Sequence, residues 1–222
     1  MILHGSLVLG DYVPGRSDVD LLLVVNRPLT DAQHDELSRT VESKEADARG
    51  RVDLRVVTSA TAGDPVPLPP LEAYVAIHPG RPLHAERRIP AERDLVIELS
   101  VCRAHGRSLV GAEASSLIVE VPDEWVVAVG DAQLADWQAI GDDPDYAEHT
   151  VITTCRIWRF AVERRHCSKA AAAEWALERG PSLEVVRRAL DLRHGVTAEP
   201  LDPKLVADLL SVARERTVSN GR

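Results

Sequence analysis

Short apolar stretches and one helical pattern alternate through the first part of the chain. Thr30 and Gln33 have the spacing of a capping box, and the helical pattern that they open continues to about Ala48. In the run after this helix, Asp53 and Arg55 alternate with apolar residues and should therefore face away from them. Apolar runs bounded by Gly, Pro and Asp predict strands over residues 1–4, 18–25, 51–57 and 72–78.

Helical stretches dominate from about Asp94 onward. Pro and Gly residues separate them, as in the Gly180-Pro181 break. We therefore expect two domains: residues 1–92, which combine strands and helices, and residues 93–222, which are all helical. The predicted helices of the second part cover residues 94–105, 123–140, 146–165, 168–179, 182–193 and 202–216.

Composition and charge limit the kinds of molecule that the protein is expected to bind. The formal net charge of the 222 residues is −9, which argues against an extended nucleic-acid surface and suits a cationic partner. No apolar run approaches the roughly 18–20 residues that cross a bilayer, and the first residues do not resemble a secretory leader. The three cysteines lack metal-ligand spacing and should be reduced. We expect a cytoplasmic monomer that binds neither nucleic acid nor membrane.

Two aspartates stand at the start of the second predicted strand. Alternation places Asp18 and Asp20 on one face, where like charges beside an apolar core repel each other and are costly to ionise. Mg²⁺ prefers oxygen ligands and is usually completed by substrate phosphates, so it would offset both charges. The alternative is that the pair supplies only turn and capping chemistry at the start of the strand.

A third carboxylate and a Gly-Ser pair extend this pattern. Asp53, on a neighbouring strand, is the candidate third acid of a two-metal site, although it could instead pair with Arg55 on an exposed surface. Gly5 permits close approach of the backbone, and Ser6 adds an N–H and a hydroxyl for phosphate oxygens. The order of these features fits a nucleoside triphosphate that is cradled on one side and metal-bound on the other.

Two segments resemble a known family. "GSLVLGDYVPGRSDVDLLLVV", residues 5–25, resembles the signature of the nucleotidyltransferase superfamily. "VITTCRIWRFAVERRHCSKAAAAEWALERGP", residues 151–181, resembles the C-terminal domain of aminoglycoside 3''/9-adenylyltransferases, the spectinomycin and streptomycin resistance enzymes. The resemblance implies an α+β nucleotidyltransferase domain with a mixed sheet over 1–92. It also implies an all-α helical bundle over 93–222. Family members carry a further helix before the Gly-Ser strand, whereas this sequence begins four residues before Gly5.

The resemblance also implies roles for individual residues. Asp18 and Asp20 match the metal-binding aspartates, and Asp53 matches the catalytic base, which is usually Glu in the family. A second family tryptophan, near Ile77–His78, is absent. The remaining matches are the triphosphate-binding positions Gly5, Ser6, Ser17, Arg156 and Lys169, and the streptomycin-contacting positions Trp137 and Asp142.

The resemblance therefore implies an enzyme that moves AMP from Mg-ATP to a hydroxyl of an aminoglycoside or aminocyclitol and releases pyrophosphate. Mg²⁺ would be its cofactor, ATP and the antibiotic its partners, and both domains would contact ATP. One alternative is a transferase of the same fold that acts on another substrate, such as a protein hydroxyl. Another is a nucleotide-binding protein without turnover.

Overall fold

The structure, a computed structural model, describes residues 1–45, 51–141, 143–144, 146–180 and 183–220. The chain divides into two compact units, unit 1 spanning Met1–Pro122 and unit 2 spanning Asp123–Arg222. Among the described helices, none combines the length and the apolar character that crossing a membrane requires.

Unit 1 is built around a mixed sheet. Its strands are β1 (Ile2–His4), β2 (Val19–Val25), β3 (Val52–Thr58), β4 (Leu71–Ile77), β5 (His84–Ile89) and β6 (Arg107–Ser108). They lie in the order β5-β4-β3-β2-β1-β6. β2 and β3 are parallel, and the other neighbouring pairs are antiparallel. The mixed sheet confirms the predicted fold class, although β5 and β6 were not predicted.

Helices of unit 1 connect and cover these strands. They are α1 (Ser6–Leu9), α2 (Asp31–Glu45), α3 (Ser59–Gly63), α4 (Leu95–His105) and α5 (Ala114–Leu117). α2 provides the crossover that joins the parallel strands β2 and β3. Its capping box is present: the Thr30 backbone N–H donates to Gln33 Oε1 (2.9 Å), and the Gln33 N–H donates to Thr30 Oγ1 (3.3 Å). The predicted end of this helix, Ala48, lies outside the described residues.

The two faces of the sheet differ in character. Leu37 and Val41 of α2 pack on one of them, which we call the apolar face; its buried residues are Leu54, Val56, Ala73 and Val75. The other, which we call the polar face, carries the alternate residues Asp20, Asp53, Arg55 and Tyr74. The orientation of β3 agrees with its sequence alternation.

Unit 1 is longer than the predicted first domain. α4 packs against β1, and β6 pairs with β1, with Ile2 opposite Ser108. Further along, the Val119 N–H donates to the Ala62 carbonyl at 2.9 Å. The boundary therefore falls after residue 122 rather than after residue 92. The change from an alternating to a helical pattern marks the start of α4, and α4 belongs to unit 1.

The regular elements among the described residues of unit 2 are all helices, as predicted for this part of the chain, whereas β6 lies within the predicted all-helical range 93–222. The helices of unit 2 are α6 (Asp123–Ile140), α7 (Ala147–Glu163), α8 (Lys169–Arg179), α9 (Glu184–Arg193) and α10 (Pro203–Asn220). Trp158 and Trp175 meet edge to face in the core, with ring centroids 5.1 Å apart. α6 and α7 approach closely at Gly130, where a Cβ would lie 2.7 Å from Ile157 Cγ2.

Candidate active site

Aspartates from two strands meet on the polar face. In the parallel register of β2 and β3, Asp20 lies directly opposite Asp53, so both side chains project from the same face. Asp18 comes two residues before Asp20 and directly precedes β2. The third carboxylate therefore stands on the neighbouring strand, where the sequence predicts it.

His78 lies beside two of these aspartates. It directly follows β4, and its Nδ1 is 3.4 Å from Asp18 Oδ1 while its Nε2 is 3.3 Å from Asp53 Oδ1. One ligand atom from each of the three residues lies within 4.8 Å of the other two, so the group could hold a metal ion. Sequence reasoning missed His78 as a site residue. The available signal was the alternation along β4, which places Tyr74 and His78 on the face of Asp53.

Hydrogen bonds satisfy this cluster only in part. Arg51 Nε donates to Asp18 Oδ1 at 2.6 Å. By contrast, Asp53 Oδ1 and His78 Nδ1 are buried, and neither atom has a hydrogen-bond partner among the described residues. Leaving buried polar atoms unpaired costs free energy unless a ligand satisfies them. The cluster is therefore suited to binding a cation.

Gly5 brings the backbone against Asp20. Its φ is +67°, in the left-handed region that favours glycine. A Cβ at this position would lie 1.8 Å from Asp20 Oδ2, so any larger residue would displace the carboxylate. The buried hydroxyl oxygen of Ser6, the next residue, has no hydrogen-bond partner within the described ranges. The close backbone of Gly5 and the Ser6 hydroxyl, which can still form a hydrogen bond, thus adjoin the aspartates Asp18, Asp20 and Asp53, which we call the acidic row.

Ser17 closes the turn before β2. Its Oγ accepts a hydrogen bond from the Val13 N–H at 3.0 Å, and its own N–H donates to the Val13 carbonyl at 2.9 Å. The residue is buried. A hydroxyl that accepts one hydrogen bond can still donate another, so the phosphate contact of Ser17 stays a prediction.

A largely buried ion pair adjoins the aspartates. Arg55 Nη1 lies 2.8 Å from Glu98 Oε1, and the guanidinium carbon of Arg55 is 4.9 Å from the centroid of the Tyr74 ring. His4, which is opposite Asp20 on β1, has its Nε2 3.8 Å from Glu98 Oε2. Sequence reasoning missed this network because Glu98 belongs to α4, which was assigned to the other domain.

Burial governs the ionisation of these groups. It raises the pKa of Asp20 to about 6 and that of Glu98 to about 7, and it also raises the pKa of Asp53. Burial lowers the pKa of His4 to about 4, so this imidazole is neutral at pH 7. A bound cation would favour the ionised carboxylates and reverse the effect of burial on them.

Residues of three unit 2 helices meet at His149 of α7. Its ring is edge to face with Trp137 of α6, with centroids 6.4 Å apart, and its Nδ1 is 3.5 Å from Lys169 Nζ of α8. Arg156 follows His149 by two turns and therefore lies on the same face of α7. Asp142 lies outside the described residues. Trp137 and Lys169, which the sequence singles out separately, thus share one neighbour.

The acidic row and the fold define the class of protein. Adjacent carboxylates beside a glycine-serine turn can hold a divalent cation and accept a proton from a hydroxyl. The family model "Nucleotidyltransferase domain" matches residues 1–68, which include all three aspartates. The protein is a nucleotidyltransferase. A second model, "Aminoglycoside adenylyltransferase, C-terminal domain", matches residues 116–215.

Relatives narrow the class to one family. An aminoglycoside (3'') (9) adenylyltransferase from Klebsiella pneumoniae is 30% identical, and the alignment covers 81% of this chain and 71% of the relative. A spectinomycin 9-adenylyltransferase from Staphylococcus aureus is 28% identical, with 79% and 73% covered. The chain belongs to the aminoglycoside (3'')(9) adenylyltransferase family.

A solved structure shares the fold of the chain. It is the crystal structure of a spectinomycin adenyltransferase from Enterococcus faecialis with ATP and spectinomycin. The TM-score is 0.74, and the match covers 98% of this chain and 90% of that one. With 19% identical residues, the similarity establishes the fold alone.

Proposed function

We propose that this nucleotidyltransferase transfers AMP from ATP to a hydroxyl of an aminoglycoside or aminocyclitol of the streptomycin or spectinomycin type. Membership of the family supports the reaction class, and the names of the relatives support the acceptor. The observation that carries the proposal is the register of β2 and β3. It sets Asp20 and Asp53 side by side on one face, next to Gly5.

The residues of this face fit Mg²⁺. Carboxylate oxygens are the ligands that this ion prefers, and the buried Asp53 Oδ1 lacks a hydrogen-bond partner among the described residues. Asp18 and Asp20 would hold the metal, with Asp53 as a further ligand or as the base. When bound, Mg²⁺ would neutralise charge on the triphosphate.

Asp53 is the proposed general base. Its carboxylate accepts the proton of the substrate hydroxyl, whose oxygen forms a bond to the α-phosphorus of ATP. The bond from that phosphorus to the β-phosphate bridging oxygen breaks, and pyrophosphate leaves. Asp is one methylene shorter than the Glu that is usual in the family, so the acceptor hydroxyl would have to lie closer to β3.

Backbone and basic groups would bind the phosphates. Gly5 permits close approach of a phosphate oxygen, and the Ser6 hydroxyl has hydrogen-bonding capacity to spare. We assign the same task to Ser17, Arg156 and Lys169, because cationic donors make the strongest hydrogen bonds to phosphate.

Aromatic and acidic groups would bind the antibiotic. Trp137, half-buried beside His149, offers a flat apolar surface to a sugar ring, and Asp142 offers a carboxylate to a cationic substituent. The net charge of −9 also favours a cationic substrate.

The test is pyrophosphate release by the full chain with ATP and MgCl₂ across a panel of aminoglycosides. We expect release that depends on streptomycin or spectinomycin, and an antibiotic product whose mass has gained one adenylyl group. Asp20→Asn serves as the inactive control. Release that requires no antibiotic of the panel, or AMP that appears on a protein, would overturn the acceptor assignment. ATP binding without any release would overturn the proposed reaction.

A further inference from the structure

We propose that His78 is a metal ligand and that, with Asp18 and Asp53, it forms a mixed nitrogen-oxygen site selective for first-row transition ions such as Mn²⁺ over Mg²⁺. The inference deepens the proposed function, because this metal would serve the same site. Metal binding is nevertheless measured without ATP or antibiotic, so the two proposals can fail separately.

The spacing of the three side chains fits metal coordination. Ligand atoms about 2.1 Å from an octahedral metal and at right angles to each other are about 3 Å apart. His78 Nε2 and Asp53 Oδ1 are separated by 3.3 Å, and His78 Nδ1 and Asp18 Oδ1 by 3.4 Å. One ion can use only one of these ring nitrogens, because they point in different directions. One ligand atom from each of the three residues lies within 4.8 Å of the other two, so rotation of an aspartate side chain would bring one nitrogen and both carboxylates onto one ion.

Unpaired atoms of the cluster are a second and independent observation. Asp53 Oδ1 and His78 Nδ1 lie close to their neighbours, yet neither has a hydrogen-bond partner in the described part of the chain. The short contacts therefore do not satisfy these buried atoms. Arg51 holds Asp18 by Oδ1, and a carboxylate with about four lone-pair sites keeps capacity for a metal. A bound cation would satisfy the atoms that lack a hydrogen bond within the described residues.

Two ring nitrogens make His78 suitable as a ligand. A metal-bound histidine usually donates its other ring N–H to a carboxylate or carbonyl, which fixes the ring. Here each nitrogen faces a different aspartate. Either nitrogen could therefore bind the metal while the other ring nitrogen, as an N–H donor to a carboxylate, fixes the orientation of the ring.

The ligand set determines the preferred ion. Oxygen ligands alone suit Mg²⁺, whereas an imidazole adds affinity for transition ions. In the described part of the chain, the other histidine next to the acidic row is His4, which contacts Glu98. Replacing His78 should therefore remove the preference for Mn²⁺ over Mg²⁺ and leave the carboxylate ligands in place.

Pulsed electron paramagnetic resonance of Mn²⁺ bound to the full chain is the direct test. We expect nitrogen modulation of the electron spin echo from one imidazole, and its loss in His78→Asn. A wild-type spectrum without nitrogen modulation would overturn the inference, as would modulation that persists in His78→Asn. The exposed His194 of unit 2 provides the matched control, since His194→Asn should keep the signal.

Calorimetric titration gives the selectivity. We expect Mn²⁺ to bind His78→Asn at least about tenfold more weakly than wild type, with a smaller change for Mg²⁺. Equal losses for both ions would contradict the proposed selectivity. If thermal melting shows that His78→Asn does not fold, His78→Gln replaces it, and the wild-type spectrum remains decisive. If the enzyme transfers AMP but Mn²⁺ shows no nitrogen modulation, only the inference about His78 is overturned. If the nitrogen modulation is present but no AMP is transferred, only the proposed function is overturned.

Discussion

The two faces of the unit 1 sheet use the same strands for different purposes. Leu54 and Val56 pack beneath α2 on the apolar face, while Asp53 and Arg55, the residues that alternate with them, lie on the polar face. Apolar burial stabilises the first face. On the polar face, burial raises the pKa values of the carboxylates Asp20 and Asp53, so ionising them there costs stability. Alternation thus lets one strand support both stability and chemistry, and substitutions should separate the two.

The largest expected effect is on turnover in Asp20→Asn. The substitution removes a proposed metal ligand together with a buried like charge. AMP transfer should be nearly abolished while circular dichroism shows an unchanged fold. Transfer within a few-fold of the wild-type rate would contradict the metal assignment.

Asp53→Asn should reduce the rate of transfer by roughly 10²–10⁴-fold, the usual contribution of a general base. Affinity for Mg-ATP, measured by calorimetry, should change little. If that affinity also collapses, Asp53 contributes to the rate as a metal ligand, the role it has in the proposed His78 site, and not as the base. Asp53→Glu is the matched variant: its longer side chain restores the usual reach of the family, so activity should be retained or increased, and a large loss would count against the alignment.

Leu54→Ala tests the apolar face one residue away from Asp53. Leu54 is 5% exposed, so removing its branched end should lower the free energy of unfolding by about 2–5 kcal/mol. Urea denaturation measures the loss. The rate per folded molecule should stay within a few-fold of wild type, and a hundredfold lower rate in folded protein would show that the two faces are not separable.

Asp20→Asn should also change the pH dependence of stability. Burial raises the pKa of Asp20 from 3.8 to about 6, so between these values the folded state binds more protons than the unfolded state. Wild-type stability from this group therefore falls as pH rises through that window. The asparagine variant cannot undergo this loss, so its unfolding free energy relative to wild type should rise by roughly 2 kcal/mol between pH 4 and pH 6. Urea titrations in a metal chelator measure it, and a pH-independent difference would refute the role of burial.

The smallest expected effect concerns Arg156, outside the sheet. Arg156→Ala should weaken ATP binding by about 1.5–3 kcal/mol, the scale of a hydrogen bond to a charged group. The apo melting temperature should change little, and the stabilisation by ATP should shrink. Arg187→Ala, at an exposed position of α9, is the control. Unchanged ATP affinity with a less stable apo protein would assign Arg156 a structural role instead.

Local patterns in the sequence determined much of the fold. The capping box at Thr30 and Gln33 opens α2, and the bounds of α6 agree with the helical periodicity of residues 123–140. The alternation along β3 determined which side chains share a face with Asp53. The spacing of Asp18 and Asp20 likewise predicted carboxylates on one side of β2. These features depend on neighbours within a few residues, which a sequence displays directly.

Only the tertiary structure decided which distant segments meet. The pairing of β6 with β1 and the packing of α4 moved the domain boundary, because strand register and helix docking depend on residues far apart in the chain. For the same reason, the contacts of Glu98 with Arg55 and of His78 with Asp18 and Asp53 could not be derived from spacing. A pattern of alternation shows on which face of its own strand a side chain lies. The charges that surround it are set by the strands and helices that fold against that face.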